Sequence, residues 1–99
     1  MREERRARIT WSAAQVRKGL PTFSQTLDPA WVEGTVPRRD EGWSLMCRVD
    51  AAPSEQGNPS MAHVRFLMPA APHDALRPGA TLRLFERETF DLAVVEILD

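Results

Sequence analysis

The chain contains no tyrosine, a single lysine and a single cysteine, Cys47. One cysteine cannot form an internal disulfide, so any core must hold without a covalent cross-link, and a lone thiol suits a reducing compartment. No stretch approaches the roughly 20 consecutive apolar residues of a membrane-spanning helix. Net charge is nearly absent too: thirteen basic and fourteen acidic residues leave a formal −1. That excludes a global field drawing the protein to nucleic acid or an anionic membrane, so such a partner would have to meet a local patch. The opening "MREERRAR" is charged throughout and leads into no apolar segment, so no signal peptide is read and a cytoplasmic protein is expected. The G-x-x-x-x-G-K-[ST] phosphate loop of nucleoside triphosphatases is missing as well.

What remains is an ordinary globular composition, 42% apolar and 27% charged over 99 residues. This length suits one domain with one hydrophobic core, residues 1–99, preceded by a flexible charged arm over residues 1–7. Twelve of the thirteen basic residues are arginine, and alanine and proline are frequent. These residues have GC-rich codons, which suits a bacterial source.

Eight prolines cut the chain into segments too short for long helices. Most of those segments alternate with the period of a strand. In "WSLMCRVD", Trp43, Leu45, Cys47 and Val49 share a face; in "MAHVRFLM", Ala62, Val64, Phe66 and Met68 do. In "ATLRLF", Leu82 and Leu84 point inward, and Phe90–Leu98 is apolar on both faces at its centre. A strand covered on both sides, or one rounding a barrel corner, needs that last pattern. The charged "ERET" between the last two strands has the length of a hairpin bend, with Arg87 and Glu88 as the linking pair. It lacks the usual Asn-Gly or Gly-containing pair, so a longer or bulged turn is expected.

The N-terminal third admits two readings. "RARITW" reads as a strand with Ile9 and Trp11 inward. "TWSAAQVRKGL" reads as a short helix with Thr10 or Ser12 as N-cap and Gly19 at its end. A strand followed by a loop or one helical turn is preferred, and "WVEGTV", Trp31–Val36, is read as a further short strand. "FSQTLDPA", "PRRDEG" and "AAPSEQGNPS" read as loops, the last as an exposed, mobile tip. Five or six short strands with proline-rich connections and little helix predict an all-β fold, a small closed or partly open antiparallel β-barrel.

The stretch "VRFLMPAAPHDALRPGATLRLFERETFDLAVVEIL" is similar to the β-barrel domains of elongation factor Tu, most of all its C-terminal domain. There a strand, a loop ending in proline–glycine, a second strand, a charged turn and a last strand closing on "V-x-x-I-L" follow in this order. Val64–Leu67, Leu76–Gly79, Leu82–Glu86 and Ala93–Leu98 match in kind. Upstream, "ARITWSAAQVRKGLPTF" resembles that domain's first strand and its Gly-Gly-Arg-x-x-Pro loop, with Arg17, Gly19 and Pro21 as remnants. The Gly-Gly-Arg triplet itself is missing, as are the family's glycines in the final hairpin and last strand. The resemblance implies a free-standing translation-factor barrel, a platform for RNA or protein, without GTPase activity.

No catalytic constellation is read. Glu86, Glu88 and Asp91 sit at a hairpin tip where water screens them equally, which defeats the split in pKa that acid–base work needs. Cys47, His63 and His73 have no metal-ligand spacing, and Cys47 and His63 fall on opposite strand faces, so neither metal nor cofactor is expected. The expected function is non-enzymatic binding, most of all to a protein partner, as in a small bacterial accessory or immunity-type protein. Trp31, in a loop-rich region, with Arg38 and Arg39, is the candidate anchor. The alternative is RNA or another polyanion held by an outward stripe of Arg48, Arg65 and Arg83. Arg2, Arg5, Arg6 and Arg8 make the arm basic, but Glu3 and Glu4 dilute it, and a frayed tail is the expected state.

Overall fold

The structure, a computed structural model, describes residues 4–22, 25–32, 43–71, 73–87 and 90–98. Among these residues six strands and two short helices follow in the order β1 (Arg5–Trp11), α1 (Ala13–Lys18), β2 (Gln25–Val32), β3 (Trp43–Val49), α2 (Pro53–Gln56), β4 (Ser60–Phe66), β5 (Thr81–Arg87) and β6 (Phe90–Ile97). A single 3-10 turn, His73–Ala75, interrupts the connection from β4 to β5. The strands close into a barrel in the spatial order β1-β4-β3-β2-β5-β6, every neighbouring pair antiparallel. β2, β3 and β4 follow one another around the wall and β5 returns to lie beside β2, a Greek-key path. β1 then fills the gap between β4 and β6.

Alternation decides the interior. Ala7, Ile9 and Trp11 of β1, Leu45, Cys47 and Val49 of β3, and Ala62, Val64 and Phe66 of β4 are buried. Leu82 and Leu84 of β5 and Ala93, Val95 and Ile97 of β6 complete the core. Side chains fill a barrel of this size from wall to wall, leaving no room for a channel. Leu92 is buried as well, and α1 lies against this strand, which accounts for the two-sided apolar pattern of β6.

Both readings of residues 10–20 are realised in succession, as strand and then helix. β1 runs through Trp11, and the Ser12 side chain accepts from the Gln15 N–H at 3.1 Å, capping α1. Gly19 ends the helix at φ +108°, a conformation that a Cβ would disfavour. Other expectations need correction. Of the expected loop "FSQTLDPA", residues 23 and 24 lie outside the described residues, and the rest is strand: Gln25–Val32 forms β2 and pairs with β3 from Gln25 to Ala30. Pro29 is tolerated inside it because the ladder to β5 begins only at Ala30. Residues 33–36 of the expected strand over Trp31–Val36, and the expected loop at 37–42, lie outside the described residues. Met68 lies beyond the end of β4 and is exposed. Arg5–Ala7, expected in a flexible arm, are already in β1. In the final hairpin Arg87, expected in the linking pair, belongs to β5 and stands opposite Phe90, and the ladder shifts register between Leu84 and Arg87.

The "AAPSEQGNPS" connection, expected as an exposed tip, is exposed at Ser54, Glu55, Asn58 and Pro59, and other groups in it clasp one end of the barrel. The Gln56 side chain donates to the Ala51 and Met61 carbonyls at 2.8 and 3.0 Å and accepts from the Met61 N–H at 2.8 Å. Asn58 pairs with the Trp11 backbone, its Oδ1 accepting at 2.8 Å and its Nδ2 donating at 3.3 Å. Beneath them, buried Trp11 Nε1 donates to Ser60 Oγ at 3.1 Å, and that hydroxyl donates to the Gly57 carbonyl at 2.8 Å. A buried indole N–H without an acceptor carries its full desolvation cost. Ser60→Ala is therefore expected to destabilise the barrel by about 1–3 kcal/mol, read as a lower urea midpoint at unchanged slope.

Candidate binding surfaces

Because inward positions are taken by the core, the charged residues of β1, β3 and β4 are forced onto the outer wall. Arg48 and Arg6 both stand opposite His63, so the three form a row across β3, β4 and β1. In the next row Met46 stands opposite Arg65. Glu4, one residue before the Arg5–Val64 pair, comes level with Arg65. On the other side Arg8 stands opposite Met61 and Glu96, and it is ion-paired with Glu96.

Acidic groups interrupt this basic surface. Arg48 Nη2 lies 2.7 Å from Glu4 Oε1, with Nε 3.4 Å from Oε2. His63 Nδ1 is 3.3 Å from Asp50 Oδ1, off the direction a hydrogen bond needs, so this secluded nitrogen has no hydrogen-bond partner. The hydrogen bond from Arg48 holds the Glu4 carboxyl below its ordinary pKa against a smaller opposing effect of burial, and the charges of Arg48, His63 and Arg65 add to it. Reciprocally, Glu4 raises Arg48.

The expected three-arginine stripe is only partly assembled. Arg48 and Arg65 lie on adjacent strands one row apart. Arg83 stands opposite Trp31 on β2 and Val94 on β6. The β2 partner of Arg48 is Gln25, six residues from Trp31 and so roughly 20 Å along the strand. Trp31 itself is in a strand, as expected, but near the end of β2 and not at the start of a separate strand. Arg38, Arg39 and Glu88 lie outside the described residues. Cys47 is buried in the core, whereas His63 is on the outer wall. Among the described residues, no three His, Cys, Asp or Glu side chains gather as a metal site, and no helix is long and apolar enough to cross a membrane.

The end of the barrel opposite the clasp has a different character. Leu67 donates its N–H to the Ser44 carbonyl at 3.0 Å, and Ser44 stands opposite Pro29, so the end of β4 and the Trp31 end of β2 share this rim. Leu67 and Met68 are 40% and 49% exposed, and Pro69 and Ala70 are exposed after them. His73 shapes the bend: its Nε2 is 3.1 Å from both the Met68 and Pro69 carbonyls, and as an N–H it donates to them. The His73 ring is also set edge-on to Phe66, 6.0 Å between centroids at 77°. Sequence periodicity missed this surface because it continued the alternation of β4 through Met68. The Glu4–Arg48 pair joins residues far apart in the chain, and no short motif signals it.

Compared with protein-family models, with curated proteins and with solved structures, the chain gives no match.

A carboxyl with a depressed pKa contributes stability above its unfolded-state value and loses that contribution as pH falls through the folded value. Removing the guanidinium in Arg48→Ala is expected to move the NMR titration midpoint of the Glu4 carboxyl upward. The stability difference between wild type and Glu4→Gln is expected to vanish in acid; an unmoved Glu4 midpoint would contradict the pairing.

Proposed function

We propose that this barrel is a non-enzymatic binding module that engages a protein partner through the end carrying Leu67–Ala70. The observation that carries the reading is the exposure of Leu67 and Met68, consecutive aliphatic side chains in a bend braced by His73. Apolar side chains held together in solvent gain free energy when a partner covers them, which is why such patches mark interaction sites. Trp31 lies in the strand that ends on the same rim, and with Arg38 and Arg39 it is proposed as the anchor for that partner. A role as a small bacterial accessory or immunity-type protein in the cytoplasm fits this reading. The likeness of Val64–Leu98 to elongation factor Tu barrels supports a platform role by analogy of fold alone.

The row of Arg48, His63 and Arg6 favours a second reading, in which the wall of the barrel holds RNA or another polyanion. Glu4, Asp50 and Glu96 on the same wall weigh against it, as does the separation of Arg83.

The test is chemical cross-linking in an extract of the native host with wild type and with a Leu67→Ser/Met68→Ser double variant. Both positions are exposed, so the variant should keep the wild-type melting temperature to within a few degrees. Loss of the cross-linked partner is expected, and undiminished capture would reject this surface.

A further inference from the structure

The ion pair between Glu4 and Arg48 is unusual in its reach. Glu4 immediately precedes β1, Arg48 belongs to β3, and β4 runs between those strands. The two side chains therefore meet across the outer face of β4, beside His63 and Arg65. Arg48 offers two donor atoms to the two oxygens of one carboxylate, at 2.7 and 3.4 Å, an arrangement that suits any carboxylate, whatever chain it comes from. The site is open to solvent, with the Glu4 and Arg48 side chains 30% and 49% exposed. Glu4 also lies outside the strand ladder, which begins at Arg5, so its side chain can leave without breaking a β1 pair.

We propose that Arg48, flanked by His63 and Arg65, is a cradle for a carboxylate of an acidic peptide segment in a protein partner, and that Glu4 is an internal competitor occupying it in the free protein. The proposal rests on the protein-partner reading for the class of ligand. The surroundings select a peptide over a nucleic acid. Asp50 stands beside His63, and Glu96 is paired with Arg8 on the same wall. A phosphate backbone, charged at every step, would run into these acids on leaving the cradle. A peptide can place one carboxylate in the cradle and neutral residues beyond it.

The mechanism makes a distinctive prediction: removing the internal carboxylate should strengthen binding. Purified wild type, Glu4→Gln, Glu4→Gln/Arg48→Ala and Arg17→Ala would be titrated at low salt with an end-capped peptide carrying one glutamate among neutral residues, following the amide NMR signals of positions 48, 63 and 65. Glu4→Gln is expected to bind several-fold more tightly than wild type, and adding Arg48→Ala should abolish the gain. Arg17, exposed on α1 beyond the far end of β1, controls for general attraction and should leave affinity unchanged. Equal affinity of wild type and Glu4→Gln would overturn the proposal, as would no binding by Glu4→Gln, retention after Arg48→Ala, or tighter binding of an oligouridylate than of the peptide. The titration needs neither the native partner nor the Leu67–Ala70 bend. Failure of the cradle is thus distinguishable from failure of the docking end.

Discussion

Placing β1 between β4 and β6 closes the sheet, and this closure governs what every side chain in the wall can do. A ring of strands has a single interior, so in β1, β3, β4, β5 and β6 one parity of the described side chains is committed to it. Ile9, Cys47, Val64, Leu82 and Val95 are all fully buried on that account. A slip of one residue would exchange the two faces and put arginine into the core, so register is strongly specified. The same rule displays Arg48, His63 and Arg65 outside. The charged wall is the complement of the hydrophobic interior, and its order across β3, β4 and β1 follows from strand pairing.

Strands cover the sides of a barrel but not its ends, and the two ends are closed in different ways. At one, polar side chains substitute for missing backbone partners: Asn58 extends β1, and Gln56 bridges the roots of its own connection. At the other, Ala71 and Leu76 are buried from the β4–β5 connection. To reach them the chain must turn outside the barrel first, and the residues it spends on that turn are Leu67 to Ala70. Exposure of an apolar bend is thus a consequence of how this end is plugged. The hydrogen bonds from His73 hold it there.

Much of the fold could be read from periodicity, because a strand buried on one face writes a period of two into the sequence. Trp43–Val49, Ala62–Phe66 and Leu82–Leu84 illustrate this. Signals failed where local composition and tertiary context disagree. Pro29 and Asp28 disguise β2 as a loop, although pairing with β3 holds the segment extended. "SEQGNP" has turn composition, yet Asn58 bonds to the Trp11 backbone far along the chain and Gln56 ties the two ends of the connection together. The candidate surfaces were less legible still. Arginine positions on the outer faces were evident, but which of them become neighbours depends on strand order, and that order left Arg83 apart from Arg48. The bracing of Met68 and Pro69 by His73 depends on a turn that periodicity does not describe.

The path of the chain around the ring also constrains how the molecule is made. β1 pairs with β4 and with β6, so the first strand of the barrel is made well before either of its wall neighbours. Contacts of such long sequence separation give a high contact order and slow folding, because a large loop must close before its pairing is rewarded. During translation Ile9 and Trp11 have no completed interior to enter until Val95 and Ile97 have emerged. The nascent chain therefore holds the first strand of the barrel unsealed until β6 has left the ribosome.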